Sequence, residues 1–212
     1  MAEISDLELL EAWRRGDRQA GNQLVTRHFP RVRTYFINKL PSEHEDLVQE
    51  TFARMVDARD QFRGEASFKT YLFRIARYVL AEQLRKRYRR GQPVELTTST
   101  IADLTERRPS SIISERETHR LLLDALRQIP LEDQELLELY YWQDLTAGEL
   151  ASLYERVEST IRSRIRAALD RLRSKYVELG DEPHSRELAV DDVDQWLREL
   201  RSVMSHVRLQ PD

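Results

Sequence analysis

Phe62-Arg63-Gly64-Glu65-Ala66-Ser67-Phe68-Lys69-Thr70-Tyr71-Leu72-Phe73-Arg74-Ile75-Ala76-Arg77-Tyr78 is a loop followed by the most regular apolar period in the chain. Phe68, Tyr71, Leu72, Ile75, Ala76, Val79, Leu80 and Leu84 recur at three- and four-residue steps, the period of a half-buried helix. Thr70, Arg74, Arg77, Tyr78, Ala81 and Arg85 form the opposite stripe. From Lys69 to Arg90 the charged residues are Lys69, Arg74, Arg77, Arg85, Lys86, Arg87, Arg89 and Arg90, against Glu82 alone. Phe62, Phe68, Tyr71, Phe73, Tyr78 and Tyr88 are interleaved with them. Aromatic rings stack on unpaired bases at about 1–3 kcal/mol per base, while arginines hold the backbone. Spacing assigns Phe68 and Tyr71 to the core and leaves Tyr78 as the better stacking candidate.

Upstream, Leu7, Leu9, Leu10 and Trp13 start an amphipathic helix. A second runs from 17 to 39, with Leu24, Val25, Phe29, Val32, Phe36 and Ile37 as its apolar side, and Pro41 ends it. Ser42 and Glu45 have the spacing of a capping box. The helix they open turns Leu47, Val48, Phe52, Met55 and Val56 inward and starts with Glu43, Glu45 and Asp46, acids that suit a helix N-terminus. Residues 1–90 read as one helical domain and 91–116, with Pro93, Pro109 and clustered Thr and Ser, as a linker.

Residues 117–178 read as a second helical domain. Leu121 to Ile129 precede Pro130, and Leu136, Leu137, Leu139, Tyr140 and Tyr141 follow it. Thr146-Ala147-Gly148-Glu149 is another capping box, opening a short helix to Tyr154; a turn and a longer basic helix from Glu158 follow. Short helix, turn and basic helix make a helix-turn-helix. Ser159, Thr160, Arg162, Ser163, Arg164 and Arg166 supply the short polar and basic side chains that read a major groove. Arg171, Arg173 and Lys175 are placed to hold phosphate. Residues 179–212 are an acidic extension in which Val193, Trp196, Leu197, Leu200, Val203, Met204 and Val207 form an amphipathic stripe.

The net charge of −3 conceals this segregation of basic and acidic segments. The expected class is all-α: two small helical domains, a linker and a C-terminal amphipathic helix. The 212 residues contain no cysteine, which excludes disulfides and thiolate metal sites and suits a cytoplasmic protein. No apolar run approaches a membrane span. Phosphate-loop, zinc-protease and serine-hydrolase motifs are lacking, and the five histidines are scattered. The expectation is a protein that is not an enzyme, without cofactor or metal.

Asp46-Leu47-Val48-Gln49-Glu50-Thr51-Phe52 resembles a segment of bacterial RNA polymerase sigma factors of the extracytoplasmic-function (ECF) group. Phe62 to Arg77 resembles that group's next segment, and Leu126-Arg127-Gln128-Ile129-Pro130 through Arg173 resembles its C-terminal helix-turn-helix. The resemblance implies a dissociable subunit of bacterial core RNA polymerase that recognises the −35 and −10 promoter elements and melts the latter. By the resemblance, Asp46, Gln49 and Glu50 contact the largest core subunit, and Leu136, Leu137 and Tyr140 meet the other large subunit. Arg63, Gly64, Ser67, Lys69, Arg74, Arg77, Tyr78, Glu82 and Arg85 serve the −10 element. Ser159, Thr160, Arg162, Ser163, Arg164 and Arg166 serve the −35 element. Promoter DNA and the polymerase are the implied partners, and an anti-sigma factor is a third typical of the family.

The chain departs from the family pattern at Tyr71 and Tyr78, where tryptophan and asparagine are usual. In the helix-turn-helix, Glu155-Arg156 stand where glycine and an apolar residue are usual. A shifted turn would put Val157 in the buried slot, with Glu158 or Ser159 capping the next helix. The extension lies outside the minimal family. It is expected either to be autoinhibitory, its acids covering the recognition helix, or merely to complete the second domain's core. The runner-up function is a helix-turn-helix regulator acting without replacing sigma. A protein-binding adaptor is a third reading, and it leaves the segregated arginines unexplained.

Overall fold

The computed structural model describes residues 4–37, 39–91, 113–180 and 197–198, and among them every regular element is helical. The chain forms two compact units, 1–95 and 96–212. The linker residues 92–112 lie outside the described residues.

In the first unit, α1 (Asp6–Arg14) opens on a capping box that the sequence reading passed over. Ser5 Oγ accepts the Glu8 amide at 3.3 Å, and the Glu8 carboxylate accepts the Ser5 amide at 2.8 Å. The helix buries Leu9 and Leu10 and leaves Leu7 exposed. Arg14 donates to the carbonyl of Phe62 at 2.7 Å and to that of Arg59, tying α1 to the 3-10 turn Arg59–Gln61. Helix α2 (Arg18–Ile37) packs against α1. Gly21 makes the contact possible, because a Cβ there would lie 2.7 Å from the Trp13 ring.

Helix α3 (His44–Asp57) is capped differently from the expectation. The Ser42–Glu45 box does not form, and the N-cap is Glu43, whose side chain makes no cap bond. Its carboxylate instead reaches α4 (Phe68–Arg89), accepting from Gln83 and, at 3.0 Å, from Arg87. That cross-helix bond fixes α3 against α4 and outcompetes the local cap. Helix α4 starts at Ser67, whose Oγ accepts the Thr70 amide at 3.2 Å. Leu24, Val32, Tyr35, Phe36, Leu40, Met55, Leu72, Phe73 and Ala76 form the fully buried core. Each large apolar side chain buried there contributes about 1.5–3 kcal/mol. Phe73, counted among the nucleic-acid aromatics, meets Tyr35 edge-on at 5.6 Å inside that core. Thr70, assigned to the basic stripe, is buried as well.

The second unit holds α5 (Ile113–Gln128), α6 (Leu131–Tyr141), α7 (Ala147–Tyr154) and α8 (Glu158–Leu179). Helix α5 begins earlier than the expected 117. Helix α8 lies against the other three, burying Ile161, Ile165, Ala168, Leu169, Leu172 and Tyr176. Helix α6 is covered on nearly every side. Its buried polar groups are satisfied by neighbours: Asp133 accepts from Arg171 at 2.5 Å, Glu135 from the Tyr154 hydroxyl at 3.1 Å. Leu136 and Leu137, which the resemblance placed at a partner surface, are core residues here, 0% and 1% exposed.

Candidate nucleic-acid interface

On α4 the polar stripe becomes a ridge of Arg74, Tyr78 and Arg85, all exposed, with Lys69, Arg77 and Glu82 partly covered beside it. Tyr78 is 58% exposed and Tyr88, further along, 83%. Such exposure in rings this large suits stacking rather than packing. Phe62 and Phe68, by contrast, are buried edge to face at 6.0 Å. Tyr71 is half-buried and tilted against both, and its hydroxyl donates to the Ala58 carbonyl at 3.0 Å. Burial raises its pKa above the ordinary value, and the nearby Arg14 charge only partly opposes this. Tyr71 therefore braces the loop, while Tyr78 faces out. Arg63, Gly64 and Ser67 are exposed at that loop, where Gly64 adopts φ +74°, a backbone region that glycine enters freely.

Helix α3 carries a ridge of opposite character. Asp46, Gln49 and Glu50 are exposed together and are followed by Ala53 and Val56. Val56 is 39% exposed rather than inward. Phe29 of α2, also expected in the core, is 43% exposed and stacks on Phe52 at 6.0 Å. Helical spacing could not separate these margin positions from the core stripe.

A residue that sequence reasoning passed over joins the two ridges. Arg54 Nε donates to Glu50 at 2.6 Å, its Nη2 donates to Glu82 at 2.6 Å, and its guanidinium lies 5.2 Å from the Tyr78 ring centroid. Burial disfavours the Arg54 charge, but the two carboxylates outweigh it and raise the pKa. The Glu50–Arg54 step of four was a legible signal.

In the second unit, α7 opens on the expected capping box: Thr146 Oγ1 accepts the Glu149 amide at 3.1 Å, and Glu149 accepts the Thr146 amide at 2.9 Å. It ends at Glu155 in the left-handed region, φ 53° and ψ 47°, with the Arg156 amide bonded to the Ala151 carbonyl at 3.0 Å. This is the Schellman stop that glycine usually closes. The turn is thus not shifted. Val157 is the N-cap of α8 and is 68% exposed; Ile161, one turn on, fills the buried slot. Neither Glu158 nor Ser159 caps the helix, because Glu158 is already its first residue.

Ser159, Thr160, Arg162, Ser163 and Arg166 are exposed on α8, with Arg164 at the margin. Ser163 Oγ donates back to the Ser159 carbonyl at 3.0 Å, Arg162 Nε donates to Glu158 at 3.0 Å, and Arg164 donates to Glu132 at 2.9 Å. These are exposed pairs, worth about 0.2–1 kcal/mol, which a phosphate or base edge can displace. Arg171 instead holds Asp133, and Arg173 and Lys175 bond Asp170 and Glu178 on their own helix. Among the described residues no cluster of His, Asp or Glu could hold a metal ion, and no helix is long and apolar enough to cross a membrane. Of the extension only 179–180 and 197–198 are described; its acidic residues, and with them any cover over the recognition helix, lie outside the described residues. Leu197 is fully buried, and its carbonyl accepts from Trp142 Nε1 at 3.0 Å.

Comparison with known proteins agrees with this arrangement. Residues 24–90 match Sigma-70 region 2, and residues 125–174 match Sigma-70 region 4. The chain is 26% identical over 183 residues to the ECF RNA polymerase sigma-E factor of Escherichia coli K12, covering 82% of this chain and 95% of that one. It is 27% identical over 186 residues to the same-named factor of Haemophilus influenzae, covering 82% and 97%. Two solved structures share the fold. One is the sigma factor RpoE of Bartonella quintana in complex with the anti-sigma factor NepR (TM-score 0.55, 22% identity, 73% of this chain and 94% of that one). The other is CnrH in complex with the cytosolic domain of CnrY (TM-score 0.56, 21% identity, 81% and 96%). With both regions matched in order over more than half its length, the chain belongs to the sigma-70 family, as a sigma factor of the ECF group.

Proposed function

We propose that this protein acts in the cytoplasm as a dissociable promoter-recognition subunit of bacterial RNA polymerase, leaving the chemistry to the polymerase. The observation that carries this is the division of one small domain into two exposed ridges of opposite charge. Helix α3 offers Asp46, Gln49 and Glu50 beside apolar Val56 and Phe29, a surface suited to a protein partner. Helix α4 offers arginines around an exposed tyrosine, a surface suited to opened DNA. In this reading Arg63, Gly64, Ser67, Lys69, Arg74, Arg77, Tyr78, Glu82 and Arg85 serve the −10 element. Ser159, Thr160, Arg162, Ser163, Arg164 and Arg166 serve the −35 element.

Melting without ATP requires that captured bases offset an unstacking cost of a few kcal/mol. One stacking ring plus several phosphate contacts reach that magnitude. Tyr140, half-buried at the end of α6, takes the contact with the second large subunit that buried Leu136 and Leu137 cannot make. An anti-sigma factor, such as the NepR bound to one structural relative, is the expected regulator, masking one or both ridges.

The test is transcription in vitro with purified core polymerase, this protein and a library of promoter-sized DNA. Transcripts that start at defined sites only when the protein is added are the expected result. Absence of any binding to core would overturn the reading and leave a helix-turn-helix regulator acting without polymerase.

A further inference from the structure

Leu197 and Arg198 belong to the C-terminal extension, outside the span matched by either sigma region, yet they are fastened to the helix-turn-helix unit. Leu197 is wholly buried, and its carbonyl takes the indole N–H of Trp142. Trp142 is itself 2% exposed, so the bond is shielded from water and fixes the register of the extension. The next residue, Arg198, is exposed and lies with its guanidinium 5.7 Å from the Tyr141 ring centroid.

That placement brings Arg198 to the wall of a cavity of about 360 Å³, shared with Tyr140, Tyr141, Asp144, Thr146 and Arg162. Arg162 belongs to the recognition helix α8, and Thr146 is the N-cap of α7. Two guanidiniums from distant parts of the sequence thus line one cleft, and Arg162 sits on the helix that also exposes Ser159, Ser163 and Arg166. The positive end of α7 lies on the same wall. Guanidinium forks and helix N-termini are the groups that hold phosphate oxygens. A duplex seated on the recognition helix at Arg162 would have this cleft at its edge. We propose that Arg198, held in register by the Leu197–Trp142 contact, is a phosphate contact of the helix-turn-helix, so that the extension belongs to the DNA-binding surface.

The assignment rests on the helix-turn-helix part of the proposed function and runs opposite to inhibition by the extension. Asp144 on the same wall and Glu158, bonded to Arg162, compete with the phosphate, so the gain per contact is modest.

Because a phosphate contact is blind to sequence, the test needs no promoter. The full chain is titrated with a mixed-sequence DNA duplex across a salt series, alongside Arg198→Ala, Leu197→Asp, Arg166→Ala and Arg162→Ala. Arg198→Ala should weaken binding roughly three- to tenfold at low salt and lower the salt slope by about 0.9, the value for one phosphate. Its thermal midpoint should change little, because the side chain is exposed and a ring contact at such a site is weak. Leu197→Asp, which undocks the segment, should show the same loss of slope even where it also costs stability. Unchanged or tighter binding by Arg198→Ala, with Arg162→Ala and Arg166→Ala weakened, overturns this assignment alone, and tighter binding restores autoinhibition. If none of the arginine variants changes binding, the helix-turn-helix reading fails with it. Competition by inorganic phosphate, at matched ionic strength and dependent on Arg198, would assign the cleft to a small anion instead of DNA.

Discussion

Arg54 on α3 donates to Glu82 on α4 at 2.6 Å while holding Glu50 on its own helix at 2.6 Å, so one guanidinium joins the acidic ridge to the arginine ridge. The same group flanks the Tyr78 ring at 5.2 Å. If core polymerase engages Glu50, as proposed, it acts on the pair that holds Glu82 and flanks Tyr78.

Arg54→Met keeps the length of the side chain and removes both ion pairs. Stability should fall by no more than about 1 kcal/mol, since the pairs are partly solvated. Promoter opening, read as permanganate reactivity of thymines in the −10 region, should fall severalfold, and affinity for core should change little. Arg54→Lys keeps the charge but not the fork that reaches two carboxylates, so it should rescue only in part. Normal opening by the methionine variant would show that the bridge is ornamental.

Gly21→Ala should destabilise the first domain by about 1–3 kcal/mol through overpacking. The added Cβ would sit 2.7–2.8 Å from three atoms of the Trp13 ring, which is backed by the Arg59 guanidinium at 5.0 Å. The double change Gly21→Ala with Trp13→Leu should recover part of the thermal midpoint, because the clash partner is gone. A single variant as stable as the parent would show that the helices slide apart without cost.

Asp6 anchors α1 to α2, accepting from Arg27 at 2.6 Å with His28 Nε2 at 2.7 Å. Burial raises its pKa, but the hydrogen bonds and charges of His28 and Arg27 outweigh burial and hold it below the ordinary value. A carboxylate whose folded pKa is depressed contributes stability that is present above its unfolded pKa and lost as the pH falls through the folded one. The first domain should therefore loosen in acid, below about pH 4, and Asp6→Asn should remove that part of the acid dependence. At neutral pH the asparagine should cost about 1–2 kcal/mol, since the buried His28 loses a charged partner. Chemical denaturation of both proteins at several pH values makes the comparison. Parallel curves would show that Asp6 contributes nothing to acid sensitivity.

Sequence periodicity placed most of this fold because core and surface alternate at helical spacing along α4 and α8. The Thr146 box, the loop at Gly64 and the exposed face of the recognition helix were all legible in local residues. What escaped depends on neighbours distant in sequence. Glu43 serves α4 instead of its own helix end, and Phe73 and Thr70 are closed in by other elements. Phe29 and Val56 sit on margins that periodicity cannot assign to either side. Leu136 and Leu137 illustrate another limit. The resemblance placed them near a partner surface, and only packing shows that both are buried while Tyr140 beside them is half-exposed. Arg198 was hidden because nothing local connects it with Arg162.

The turn of the helix-turn-helix yields the last prediction. Glu155 occupies the left-handed region at φ 53°, where a side chain costs an L-residue about 1–2 kcal/mol. Glycine there avoids that cost but loses more backbone entropy on folding, worth roughly 0.5–1 kcal/mol. Glu155→Gly should therefore stabilise the second domain by about 0–1.5 kcal/mol, the difference of the two. Glu155→Ala should gain nothing, because it keeps the strained backbone and merely removes the side chain. Glu155→Asn should fall between, as asparagine tolerates this region. Duplex affinity should be unchanged in the glycine variant, because the Arg156–Ala151 bond still sets the angle at which α8 leaves the turn. Thermal unfolding of the three variants ranks them. A glycine variant less stable than the parent would mean that the Glu155 carboxylate makes an interaction stronger than the strain it sits in.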